Sequence, residues 1–274
     1  FSVSALTGVG RTSYLVITAG RLVYKVLVVQ GMQWAYSNII LKDGKLTFAT
    51  TAAENAQIPA NSQGLNFKWG SLIGLNTVGA QSSAFTSSRI SFVPSEYTGT
   101  VPITDYSTIP SPAALSLDSY DPSAGTGDIC RYISDKGWVE GRWRMPTLTE
   151  AQQTIACGTI PYGSFGVDYT WTETDGTHLT DSGIFFATTT DDESYLTGDM
   201  PIGAMFLPSG GAIVGNGVVS NMNTLARFWT STGYDDRRAY CLYGNTGSVY
   251  VTALGSSSDS YKNEGRNVRC IRDV

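Results

Sequence analysis

The sequence predicts an α+β protein: mostly short antiparallel strands, about two short helices and long ordered loops. Three observations point there. Thirty Gly and fifteen Tyr in 274 residues supply turns and strand formers. Short apolar segments alternate with Gly-, Ser- and Asn-bearing turns along most of the chain. Strong helix signals, by contrast, gather at one place, the segment beginning at Thr147.

At the start, SYLVITAG and RLVYKVLVVQ read as two strands from Ser13 to Gln30 turned by Gly20. Two strands do not stand alone in water, so residues 1–30 are read as the β-strand remnant of a preceding or assembly domain. Residues 31–274 form the main domain. In it, Asp43-Gly44 marks a hairpin between apolar runs, and Thr98 to Gly127 read as a long ordered surface loop. Thr147-Leu148-Thr149-Glu150 is a capping box after Pro146. Leu148, Ala151 and Ile155 then share one helix face, and Gly158 is the natural stop. A second helix is expected around Cys130 to Asp135. Past Gly158 the segments GIFFATT, AMFLPSGG, ARFWTST, RAYCLYGNTGSVYVTAL and NVRCIRD read as strands, with a turn over Gly244-Asn245-Thr246-Gly247.

Composition excludes several classes. The apolar fraction, 42%, is enough for a packed core, and the net charge of −5 comes with no basic block. Phosphate neutralisation needs clustered Lys and Arg, so nucleic acid is not expected as a partner. No run approaches the length of an apolar membrane span, so direct membrane insertion is not expected. The sequence begins at Phe1, and no secretion signal is visible. The four cysteines, Cys130, Cys157, Cys241 and Cys270, include no C-x-x-C pair, which argues against zinc and thioredoxin-type sites. Their even number fits an oxidising compartment.

Several segments fall in a telling order: GKLTFA, NFKWGSL, Cys130, GWVEGRWRMPTLTEAQ, AMFLPSGG, ARFWTST, AYCLY and NVRCIRD. Together they resemble the Fibrobacter succinogenes major paralogous domain of Bacteroidetes, over roughly Met32 to Val274. That family is similar to C-terminal domains of some fimbrial tip adhesins, and its wider relatives share the C-type-lectin fold. These relatives include formylglycine-generating enzymes and the variable proteins of diversity-generating retroelements. The resemblance implies a C-type-lectin-like fold and a disulfide between Cys130 and Cys270. Such a bridge would contribute about 4–5 kcal/mol by loop closure. Cys157 and Cys241 either pair with each other or leave Cys241 outside a disulfide.

Candidate chemistry is sparse. Ser–His–Asp catalysis would have to use His178, the single histidine, and no Gly-x-Ser-x-Gly accompanies it. The oxidase relatives use a closely spaced cysteine pair, whereas here Cys270 stands far from Cys241 in sequence. The chain is therefore read as not an enzyme. The Glu-Pro-Asn, Gln-Pro-Asp and Trp-Asn-Asp signatures of calcium-bridged sugar sites are absent. No cofactor is expected, although Asp191-Asp192-Glu193 offers oxygen ligands of the kind Ca²⁺ takes; like Asp175 and Asp181, the trio is read as solvated loop. Trp138, Trp143 and Trp229 are read as core, and Arg144 and Arg269 as partners of acidic groups inside the fold.

The binding candidates lie between Gly233 and Asn263: Tyr234, Asp235, Asp236, Arg237, Arg238, Tyr240, Tyr243, Asn245, Tyr250, Ser257, Asp259, Tyr261 and Asn263. Tyr provides contact area at low entropic cost, and Ser, Asn and Asp provide adaptable hydrogen bonds. In the retroelement-diversified relatives this part is the variable ligand-binding face, and its composition here is compatible with that. The expectation is an extracellular or outer-surface adhesin or receptor-binding module for a protein or glycan. A structural pilus subunit, contacting other pilus subunits by strand addition through residues 1–30, is the alternative.

Overall fold

The computed structural model describes residues 10–55, 58, 64–77, 80–157, 169–172, 178–181, 183–186, 205–222, 224–245, 248–252 and 261–273. The α+β class is as expected: short strands predominate, with helices at Ile129–Asp135 and Leu148–Cys157 and a single turn of helix at Ala52–Asn55. The central sheet runs, neighbour to neighbour, through Ser248–Thr252, Ala239–Asn245, Ala226–Gly233, Gly265–Asn267, Asn66–Lys68, Gly74–Leu75 and Ile90–Phe92. Ala212–Val214 and Val218–Ser220 branch from it. Pairing is antiparallel except where Phe228 meets Asn267.

Ala226–Gly233 is the spine of the sheet. It is buried on both faces, with Trp229 in the larger core and Phe228 in a second one beside Trp34, Leu207 and Leu242. Two indoles tie it to the neighbouring chain: Trp229 Nε1 donates to the Phe67 carbonyl at 2.9 Å, and Trp69 Nε1 to the Thr230 carbonyl at 2.8 Å. An indole N–H must find an acceptor when buried, so these bonds make large aromatics compatible with a dry interior.

The helix beginning at Ile129 starts because Asp128 accepts from the N–H groups of Cys130 and Arg131. The same carboxylate also accepts from Met145 N–H at 2.9 Å, joining the helix to the next segment. Burial pushes the Asp128 carboxyl up to about 6, against those bonds and Arg131, which act to lower it. The capping box forms at the next helix: Thr147 N–H donates to Glu150 Oε2 at 2.8 Å, and Glu150 N–H to Thr147 Oγ1 at 3.3 Å. Ala151 is buried on its inner face and Ile155 packs against the Trp34 cluster.

The WRMPT-x-x-E segment and the tail strand lie against each other. Trp143 pairs with Arg272 and Arg144 with Ile271. Arg144 grips Glu150 at 2.5 Å and Asp273 at 3.2 Å, and Arg131 reaches Asp273 at 2.9 Å. Cys130 and Cys270 form a disulfide spanning 140 residues. Upstream, Ala35 N–H donates to the Cys270 carbonyl, and Arg272 N–H to the Gln33 carbonyl, both at 2.8 Å. Gln33–Ala35 and Cys130 are therefore fastened to the tail at Cys270–Arg272.

Glu150 gives this region a pH dependence. Burial works to raise its carboxyl, but the bonds from Arg144 and Thr147 prevail and hold it below its ordinary 4.5. The stability it supplies is thus present above pH 4.5 and is lost as the pH falls through its lowered folded-state value. Glu150→Gln should cost about 1–3 kcal/mol at neutral pH. Thermal melts should show that gap closing on acidification below pH 4.5; a constant gap would exclude this role.

Several expectations need adjustment. Gly20 does turn the first hairpin, and Asp43-Gly44, both at positive φ, turn the second. The Thr98–Gly127 region is loop only in part: it holds a 3-10 turn at Tyr106–Thr108 and a short hairpin of Tyr120–Asp121 with Thr126–Gly127, and buried Ile103, Tyr106, Ile109 and Leu117 pin it down. Asp181, expected in a loop, lies with His178 in the strand His178–Asp181. Gly158, Asp175 and Asp191-Asp192-Glu193 lie outside the described residues. Arg269 is buried, and its bonds include Asn38 Oδ1 at 2.9 Å and the Ala35 carbonyl at 3.0 Å; burial lowers its pKa. Trp143 and Trp229 are core as expected, and Trp138 packs partly buried against it. Among the described residues, no helix is long and apolar enough to cross a membrane.

Candidate functional site

At one end of the sheet the chain leaves Gly233, forms a tight loop and returns at Ala239. The loop is built on Asp235. Its Oδ1 accepts from the N–H groups of Arg237 (3.0 Å) and Arg238 (2.6 Å), and its Oδ2 receives the Arg238 guanidinium at 2.8 and 2.6 Å. Tyr234 N–H donates to the Arg238 carbonyl at 2.8 Å. Arg238 foremost, through its side-chain bonds, lowers the Asp235 pKa. Asp and the turn geometry explain each other: an Asp can bond backbone N–H groups two and three residues ahead.

A second segment, Tyr261 to Glu264, lies alongside. Arg238 bridges to Tyr261, and Lys262 N–H donates to the Arg237 carbonyl at 2.9 Å. Lys262 is the fastener. Its ammonium is buried over the Trp69 ring, 4.3 Å from the centroid, and donates to the carbonyls of Ala114 (2.5 Å) and Asp235 (2.6 Å). Burial lowers its pKa, while Asp235 and Asp236 act to raise it. Ser111 Oγ donates to the Lys262 carbonyl at 2.7 Å.

Between these segments and the Gly215-Asn216-Gly217 turn opens a cleft of about 780 Å³. Asp236, Arg237, Tyr261 and Asn263 contribute to its wall, opposite Val214 and Asn216. Tyr261 is 38% exposed, with the Arg237 guanidinium 5.7 Å from its ring centroid. Asp236, Arg237 and Asn263 are exposed. The result is a trough of mixed polar and apolar lining, with one aromatic platform, both charge signs and two amides. It can stack on a flat apolar face and hydrogen-bond hydroxyl, amide or carboxylate groups.

The structure sorts the expected binding residues. Asp236, Arg237, Tyr261 and Asn263 meet in the cleft. Tyr234, 39% exposed, stands on the same loop, with Tyr240 edge-on at 5.6 Å and the Arg238 guanidinium 4.7 Å from its centroid. Asp235 and Arg238 hold each other and shape the loop, so they support the site and do not line the cleft. Tyr243 is a correction: it is buried, in the core cluster with Trp229 and Cys241. The cause is its strand, which is covered on both faces, so a Tyr there packs inward. Asn245 and Tyr250 belong to the strands Ala239–Asn245 and Ser248–Thr252. Ser257 and Asp259 lie outside the described residues.

Cys241 is buried, and the side chain of Cys157 lies outside what the structure describes. The Cys241 sulfur accepts from the Arg266 guanidinium at 2.6 Å. Three site residues were not anticipated. Ser111 and Asn216 come from distant segments, and nothing local connects them to Tyr261. Lys262 was not singled out, although a lysine inside an otherwise loop-like sequence offered a faint signal. Among the described residues, no three of His, Cys, Asp and Glu gather to hold a metal.

No family model matches the chain, and no curated protein or solved structure is significantly similar to it.

Proposed function

We propose that the protein is a ligand-binding module of C-type-lectin-like architecture, working without catalysis. Within that class, the reading favoured is a bacterial cell-surface adhesin of the Fibrobacter succinogenes major paralogous type, binding an extracellular protein or glycan. The cleft carries this proposal: four of the residues expected from their binding chemistry converge there, on loops braced by the Asp235 and Lys262 bonds. The direct contacts between WRMPT-x-x-E and the tail strand support it as well, because the segments behind the resemblance form one packed unit.

In this reading Tyr261 supplies the stacking face, Arg237 and Asp236 the charged hydrogen bonds, and Asn263 and Asn216 the amide contacts. A glycan and protein array, probed with and without chelator, would identify the ligand. Tyr261→Ala and Arg237→Ala should each weaken binding to the best hit at least tenfold. Stability should change by no more than about 1 kcal/mol, since both side chains are at the surface. Unaltered binding in both variants would overturn the assignment.

A further inference from the structure

Among the described residues, the strands Gly10–Ala19 and Leu22–Gly31 pair only with each other, in continuous register from Gly10↔Gly31 to Ala19↔Leu22. The outer half of this hairpin is apolar and open to solvent. Val16, Ile17, Leu22, Val23 and Tyr24 are 47–59% exposed. The register places Ile17, Ala19, Leu22 and Tyr24 on one face, and Val16, Thr18 and Val23 on the other. A two-stranded ribbon with two open edges and apolar groups on both faces is marginal in water and prone to association. Each strand has ten residues, so the ribbon is about 33 Å long.

Charge indicates what covers it. Residues 1–31 contain Arg11, Arg21 and Lys25 and no acidic residue. The remainder has 15 basic and 23 acidic residues, a net −8. Part of that deficit falls between Arg89 and Arg131, where there is no Lys or Arg and where Asp105, Asp118 and Asp121 are exposed. The segment folds on itself into one lobe, since Thr98 N–H donates to the Ser123 carbonyl and Gly125 lies against Tyr97 and Pro110. The same lobe carries Val101 and Leu115, 59% and 62% exposed. The hairpin is apolar and basic, and the lobe is apolar and acidic.

We infer that the hairpin of one copy docks on the 94–125 lobe of a second copy. The two surfaces differ, so the contact is head-to-tail and builds open chains or closed rings rather than an isologous dimer. It does not depend on the cleft having a ligand.

The test uses the full chain in sedimentation velocity over a concentration series. Self-association is expected, with a Kd at least tenfold weaker at high salt, because complementary charges are screened. Arg21→Glu with Lys25→Glu should weaken it at least tenfold, and so should Asp118→Lys with Asp121→Lys. Mixing these two variants should restore association, since a reversed hairpin then meets a reversed lobe. Far-UV circular dichroism would establish that each variant is folded. A chain that stays monomeric up to about 100 µM, an association indifferent to either reversal, or a mixture that fails to recover would each overturn the inference.

Discussion

Replacing Cys130 and Cys270 together by alanine should lower the melting temperature by about 10–20 °C. The bridge closes a 140-residue loop, and in the chain-entropy description that restraint on the unfolded chain contributes about 4–5 kcal/mol. For a chain of this size each kcal/mol moves the midpoint by about 2–4 °C. The native contacts around the bridge should survive, because Trp143, Arg144 and Asp273 hold the tail strand independently of it. Differential scanning calorimetry of the double variant would measure the effect. A drop of less than about 3 °C would mean that the unfolded chain gains little freedom when the bridge is removed.

Arg266→Met should cost about 3–5 kcal/mol, comparable with the disulfide. Arg266 is wholly buried; it holds Glu264 at 2.7 Å, donates to Cys241 Sγ and lies 4.2 Å from the centroid of the Trp229 ring. Removing the guanidinium strands a carboxylate in the interior, which is the expensive way to break a buried pair. Removing both charges, as Arg266→Met with Glu264→Leu, should cost clearly less than the single change, because no ion is then left in a low-dielectric site. Urea unfolding of the two variants side by side checks this. A double variant less stable than the single one would show that the pair acts through its geometry and not through its charge.

Local signals were legible where one residue or a short motif suffices. Asp43-Gly44, the Thr147–Glu150 box and the glycine turn of the first hairpin need no distant partner, and all three form. The packing of the WRMPT segment against the tail was accessible only through the order of motifs, since no periodicity links residues 130 apart. The candidate site was half legible. Polar and aromatic composition between Gly233 and Asn263 marked the right neighbourhood, but composition does not separate a side chain that faces solvent from one that builds the loop. Asp235 and Arg238 satisfy each other, and Tyr243 faces the core, for reasons that lie in register and in neighbouring strands. Asn216 and Ser111 reach the cleft through tertiary folding alone.

The Lys262 ammonium, held beneath the cleft by two carbonyls and an indole, has a consequence for how this surface can change over generations. The course of the two rim segments is set by these buried bonds and not by the exposed side chains of the rim. The side chains at 236, 237, 261 and 263 can therefore be exchanged with little penalty to folding while the scaffold stays the same.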